Sequence, residues 1–297
     1  MQVVIEASSS AISQWEKKGF PVFFSHAYGS ELKLLKFKED AEVIAVMWVW
    51  ESGKKFLNSL ITPPFLPNCW LTFLNEYDKP ATKRAKEKEV LKALLSFVES
   101  EKWAYWKFDF PVEYTDFQEA IWKGTIPKTK YTYRILSLRN WEERIDSKLR
   151  NKLKRFSDFS FEVRSFTDAE VNLLMSSSSS KGVAHENLLA KFNAMNSPSA
   201  FTVIAEGGEY QAFCAIVGGV CYYLVSSNAK NDNALSACGV KFCIEESIRR
   251  GCFAFDFEGS MIPEIEVFFR SFGGDLLPYF SIEGGKGFPY LLRKLLK

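Results

Sequence analysis

Residues Phe253–Gly274, FAFDFEGSMIPEIEVFFRSFGG, set two carboxylates, Asp256 and Glu258, two positions apart in an apolar run that breaks at Gly-Ser. In a strand alternate residues share a face, so Phe255 and Phe257 point one way and Ala254, Asp256 and Glu258 the other. Acids near the carboxyl end of a strand in an open sheet stand where ligands gather. There a carboxylate serves as general base or anchors a substrate amine. Asp256 also has a structural reading, because a buried acid needs a partner, and Arg134 or Arg249 would supply one. An equivalent acid, Asp109, lies in WKFDF (Trp106–Phe110) of the first half, which favours structure for Asp256. Glu258 has no acidic counterpart and is the better base. The helical pattern Ile265–Phe272 puts Phe268, Phe269 and Phe272 on an apolar stripe. Arg270 points elsewhere, to steady a developing negative charge or to stand in solvent. Tyr279 follows, and its hydroxyl is a candidate proton donor.

These residues sit on elements that the chain writes twice. A shift of 147 carries Phe108-Asp109-Phe110 onto Phe255-Asp256-Phe257, Lys123 onto Arg270, and Tyr133 and Ile135 onto Phe280 and Ile282. The helical pattern Val90–Lys102 falls on Ala237–Arg249 by the same shift. Upstream the shift becomes 167, laying the hairpin pattern Val43–Ser59 over Tyr210–Ser226. The difference is extra chain in the first half, around Ile61–Pro80. Each half reads hairpin, helix, strand, short helix, strand, which predicts an α/β fold with two mixed sheets. The boundary falls near Lys123–Lys130, giving domains 1–127 and 128–297. Asn140–Phe156 is the opening helix of the second, and the serine run Ser176–Ser180 reads as a loop.

Bulk properties narrow the classes. A chain of 297 residues suits two domains. A net charge of +2 does not ask for DNA or an anionic membrane. No segment is long and apolar enough for a membrane span. Six cysteines without a CxxC pair, and no secretory signal, read as reduced thiols of a cytoplasmic protein. With only His26 and His185, neither a histidine metal site nor a Ser-His-Asp triad has material, and no metal is expected.

Two further stretches suit anions. After the strand Val220–Val225, small polar residues Ser226–Gly239 lead into the helix Val240–Arg250, and free N–H groups at such a helix start suit a phosphate. The matching stretch in the first half, Lys83–Glu89, is crowded with long side chains, so only the second half keeps this entry. The basic helix Asp146–Phe156 carries Arg150 and Lys154 on one face, either solvated or arching over a cleft.

The strand FDFEGS, the helix ending FFRSFGG, the closing strand with Tyr279 and the basic helix LRNKLKRF resemble the FemAB-like branch of the GNAT (N-acetyltransferase) superfamily. The resemblance is clearest over Tyr131–Ile282 and extends to the whole chain through the duplication. It implies two tandem GNAT-like domains with mixed, mostly antiparallel sheets flanked by helices, the first with a degenerate donor site. It also implies an acyl donor between Val220–Val225 and Phe253–Glu258. Tyr222 and Leu224 would line the donor, and its pyrophosphate would rest on the helix start at Ser236, Cys238 and Gly239. The family pattern often carries a lysine one place before Arg270, where this chain has Phe269. The implied reaction is transfer from acetyl-CoA or another acyl-CoA to the amine of a small or cell-envelope precursor. Glu258 would act as base, Tyr279 as acid, and Arg150, Lys154 and Ser260 would hold the acceptor. Cys221 and Cys238 are a minor nucleophilic alternative. Aminoacyl-tRNA is the alternative donor, disfavoured because no heptad run marks the long helical insertion of tRNA-using members. A binding module that keeps the fold without the chemistry is the third reading.

Overall fold

The computed structural model describes residues 1–7, 32–53, 58–64, 66–101, 103–156, 158–177, 199–259 and 261–286. Both histidines, Ser260 and Ser178–Ser180 lie outside them, while Ser176 and Ser177, expected in a loop, end a helix. In chain order the first half holds β1 (Gln2–Ala7), β2 (Leu32–Glu39), β3 (Glu42–Ser52), β4 (Ser59–Ile61), β5 (Thr72–Phe73), α1 (Pro80–Ser100), β6 (Tyr105–Asp109), α2 (Gln118–Trp122) and β7 (Lys128–Ile135). The second holds α3 (Ser147–Arg155), β8 (Phe161–Val163), α4 (Asp168–Ser177), β9 (Ala200–Ala205), β10 (Tyr210–Val217), β11 (Val220–Asn228), α5 (Asn233–Arg249), β12 (Ala254–Asp256), α6 (Pro263–Arg270) and β13 (Asp275–Gly284).

The chain forms two compact units. The first takes the described residues up to Lys130 and those from Pro278 onward; the second takes Tyr131–Leu277. In the first, β1 to β4 pair antiparallel in sequence order, β4 pairs parallel with β6, and β6 pairs antiparallel with β13. In the second, β8 to β11 pair antiparallel, β11 pairs parallel with β12, and β12 pairs antiparallel with β7. The two strand runs repeat one order, with their closing strands exchanged. A boundary at 127/128 follows chain order but misses this exchange, in which β13 from Pro278 completes the first sheet.

The registers carry the duplication to single residues. Phe108 faces Ile282 and Phe255 faces Ile135. Phe110 N donates to Phe280 O at 2.9 Å and Phe257 N to Tyr133 O at 2.9 Å. Each pair maps onto the other through the shift of 147. Each unit has its own core: Val90, Leu91, Leu94, Leu95 and Val98 of α1 against Phe108, Phe110 and Ile282 in the first, and Leu235, Val240 and Ile244 of α5 with Phe255, Phe257 and Phe272 in the second. Gly218 and Gly219 both have positive φ. This suits the two-residue turn that joins β10 to β11.

Several boundaries differ from expectation. α1 begins at Pro80, whose missing N–H costs nothing at a first helical position. The expected helix Asn140–Phe156 is a 3-10 turn, Trp141–Arg144, followed by α3 behind the N-cap Asp146. α5 starts at Asn233, well before Val240. Gly239 is therefore inside the helix, and its missing side chain admits the Tyr210 ring: a Cβ there would lie 2.2 Å from Tyr210 Cε1. The ring is held by a hydrogen bond between the Tyr210 and Tyr223 hydroxyls, 2.8 Å.

Helix propensity alone would make Gly239→Ala stabilising by about 1 kcal/mol. The clash reverses the sign: we expect a loss of about 1–3 kcal/mol in denaturant unfolding. Adding Tyr210→Leu should recover part of that loss, and a stabilised single variant would contradict this packing.

Candidate active site

In the second unit the ladder between β11 and β12 is short. The parallel ladder of β11 and β12 runs Val220↔Ala254, Cys221↔Phe255, Tyr222↔Asp256 and stops. β11 continues through Tyr223–Asn228 without β12 beside it. On its other edge, Phe213 faces Val225 and Cys214 faces Tyr223, so Leu224 is the extra residue of a β-bulge. A bulge sharpens the local twist and turns the strand away. Tyr222 is buried with the Arg134 guanidinium over its ring at 5.9 Å, and Leu224 is half-buried.

The first unit has the same crossing, filled by its own chain. β4 pairs with β6 from Ser59↔Tyr105 to Ile61↔Lys107. Thr62 N then donates to Lys107 O at 2.9 Å, and Asp109 N donates to Thr62 Oγ1 at 2.7 Å. Cys69 N donates to Asp109 O at 2.8 Å and Cys69 O accepts from Trp48 N at 2.8 Å. The extra residues of the first half thus bridge β6 and β3, a bridge without a counterpart among the described residues of the second half.

Asp256 ends β12 and is buried. Its Oδ2 accepts from Arg134 Nε at 2.7 Å and its Oδ1 from Thr132 Oγ1 at 2.6 Å, both on β7. Oδ1 also accepts from Glu258 N at 2.8 Å, and Thr132 Oγ1 accepts from Gly259 N at 3.1 Å. Asp256 is thus a positioning residue, and Arg134 is its partner. The turn it holds is unusual: Glu258 has φ 62° and Gly259 φ 109°. A non-glycine residue in that region is strained and persists only where its surroundings impose it. Glu258 is half-buried with Oε1 shielded from solvent.

Arg270 is exposed and lies 3.4 Å from Glu266 Oε1, which also accepts from the Tyr133 hydroxyl at 2.7 Å. Burial first, and then Glu266, raises the Tyr133 phenol above its ordinary range. Tyr279 belongs to the first unit, with Lys130 Nζ 5.6 Å from its ring centre. Arg150 reaches back to the carbonyls of Glu142, Glu143 and Ile145 at 3.0–3.2 Å, which ties down the preceding turn. Lys154 is exposed. Burial raises the thiols of Cys221 and Cys238, and Cys238 Sγ lies 3.2 Å from Phe156 O. Neither is a ready thiolate.

The expected pyrophosphate cradle does not fit. At the true start of α5, Asp232 Oδ1 accepts from Ala234 N at 2.7 Å and Leu235 N at 3.3 Å. Ser236 Oγ accepts from Asn228 Nδ2 at 2.7 Å, and Cys238 and Gly239 lie in the buried helix interior. A carboxylate already occupies the amides that a phosphate would use, and it repels a second anion. The sequence signal was present in Asp232, an N-cap residue type four residues before Ser236, as it was for Thr132, which was not singled out. Among the described residues no group of three or more His, Cys, Asp or Glu side chains is placed to hold a metal, and no helix is long and apolar enough to cross a membrane.

Removing the Asp256 carboxylate should take from the buried Arg134 guanidinium the charge it meets at 2.7 Å. We expect Asp256→Ala to cost about 3–5 kcal/mol in chemical unfolding. The joint replacement Asp256→Leu with Arg134→Met should recover most of it. A single-variant loss below about 1 kcal/mol would remove Asp256 from this structural role.

No family model and no curated protein matches the chain. Solved structures do. FemX shares 12% identity over 100% of both chains with a TM-score of 0.61. L-PGS from Bacillus licheniformis shares 12% over 98% of this chain and 96% of its own, TM-score 0.57. A tandem GNAT protein from the clavulanic acid biosynthesis pathway shares 11% over 97% and 99%, TM-score 0.51. The fold of this chain is the FemAB-like, tandem form of the GNAT fold.

Proposed function

We propose that the protein is an N-acyltransferase that moves an acyl or aminoacyl group from an activated carrier to an amine. The observation that carries this reading is the divergence of β11 from β12 beyond Tyr222↔Asp256, with Glu258 on the turn leaving β12. The acyl arm lies along the edge of β11 beyond its ladder with β12, at Tyr223–Asn228, whose backbone N–H groups polarise the carbonyl. Glu258 takes the proton of the attacking amine, directly or through one water. The amine nitrogen bonds to the carbonyl carbon, and the carrier leaves with the electron pair and a proton. No residue of the chain is acylated.

One observation bears on the carrier. Asp232 holds the first amides of α5, which disfavours a donor seated there by a diphosphate. An aminoacyl ester on tRNA needs no diphosphate at that helix and is the carrier we favour over acyl-CoA. The acceptor is an amine of a small or cell-envelope precursor.

The test is transfer of label to amine acceptors from total tRNA charged with radiolabelled amino acids and, separately, from acetyl-CoA. We expect transfer from charged tRNA, a fall of about 10²–10⁴-fold in rate for Glu258→Gln, and little change in its unfolding midpoint. Micromolar binding of coenzyme A would overturn the carrier assignment and leave the transferase reading standing. Transfer from neither carrier would contradict the reading itself.

A further inference from the structure

The first unit carries a charged cluster that the transfer reaction does not use. Along β6, Trp106, Phe108 and Phe110 enter the core, so Tyr105, Lys107 and Asp109 lie on the opposite face of the sheet. β13 sets Glu283 opposite Lys107 and Ser281 opposite Asp109. Lys128 pairs with Glu283, whose Oε2 also accepts from the Tyr105 hydroxyl at 2.9 Å. Asp109 is shared by two ammonium groups: Lys130 Nζ at 2.6 Å from Oδ1 and Lys107 Nζ at 3.5 Å from Oδ2. Three lysines thus meet two carboxylates.

Asp256, the repeat of Asp109, meets the Arg134 guanidinium, and both side chains are under a tenth exposed. That pair is closed. In the first unit the carboxylate is the less exposed member, 14%, while Lys107 keeps 34% and Lys130 25% of their side chains accessible. The surplus charge faces outward. Burial lowers the Lys107 ammonium below its ordinary range, the Lys130 charge adds to this, and Asp109 opposes both. A half-buried surplus cation is costly unless a counter-charge arrives, and perturbed groups of this kind mark binding sites more often than chance.

We propose that Lys107 and Lys130, straddling Asp109 beside the Tyr279 ring, form a binding site of the first unit for a small oxyanion, the phosphate or carboxylate group of a ligand. The site is independent of transfer at Glu258. The two ammonium groups are the donors, Asp109 fixes their spacing, and Tyr279 walls the side next to Lys130.

The test uses the full chain with its lysines reductively methylated with ¹³C, which preserves their charge, followed by NMR during titration with inorganic phosphate or acetate. Sodium chloride at matched ionic strength is the control. The Lys107 and Lys130 resonances are expected to shift together and saturate with at least one oxyanion. Phosphate alone, acetate alone or both saturating assigns the group recognised. Lys107→Met should weaken binding by about tenfold or more, read at Lys130, and Lys107→Arg should retain it. Shifts that never saturate, or that chloride reproduces, would overturn the site, as would unchanged affinity in Lys107→Met. The wild-type titration decides without the variants.

Discussion

A buried carboxylate bound to a strand from the other half of the sequence holds the second unit's site together. Asp256 closes β12 against Arg134 and Thr132 of β7 and accepts the amide of Glu258. With Thr132 also receiving Gly259 N, both positive-φ residues of the turn, the strained Glu258 and Gly259, hang from two side chains. A buried ion pair of this kind adds little net stability against an apolar substitute, but it fixes geometry. Here the geometry it fixes is the direction in which the chain leaves β12, and so the position of Glu258. The exchange of closing strands makes this possible, because β7 would otherwise complete the first sheet.

One fold repeated twice has been given two fates. In the first unit the chain after β4 turns back and satisfies β6 through Thr62 and Cys69, so its crossing is a closed, hydrogen-bonded wall. In the second unit the chain after β11 passes through a short turn to α5, and the edge beyond Tyr222 keeps no β12 beside it. Backbone groups left without a ladder in a sheet are costly unless water or a ligand meets them. A strand pair that diverges at its carboxyl end is where an open sheet receives its ligand. The same acid serves both units differently: Asp256 is neutralised and structural, whereas Asp109 gathers two ammonium groups on an accessible face.

Much of this was legible in the residues. The shift of 147 between FDF motifs foretold the paired registers, because a duplicated strand keeps its alternation and hence its partners. The extra chain at Ile61–Pro80 marked the half that would be filled. A cationic partner for Asp256 was legible too, since a buried acid must find one, but the choice between Arg134 and Arg249 was not; Arg134 takes it, and Arg249 pairs with Glu246. The start of α5 was not read correctly. Small residues at Ser236–Gly239 resemble a ligand approach, but Gly239 is small for the Tyr210 ring, a contact between residues far apart in sequence. Strand exchange was invisible for the same reason: either closing strand satisfies either sheet locally, and tertiary pairing decides. Tyr279 lies on the part of β13 that completes the first unit.

The central claim is that the edge of β11 beyond its ladder with β12, and not its filled counterpart, receives the acyl donor. Amide hydrogen exchange read by mass spectrometry tests it most directly, on the full chain with and without 3′-amino-tRNA charged with an amino-acid mixture, whose amide link does not turn over. The account predicts slowed exchange across Tyr223–Asn228 and at Phe257–Gly259, with residues 62–64 and 66–69 unchanged. Unchanged exchange across Tyr223–Asn228, or protection confined to residues 62–64 and 66–69, would contradict it.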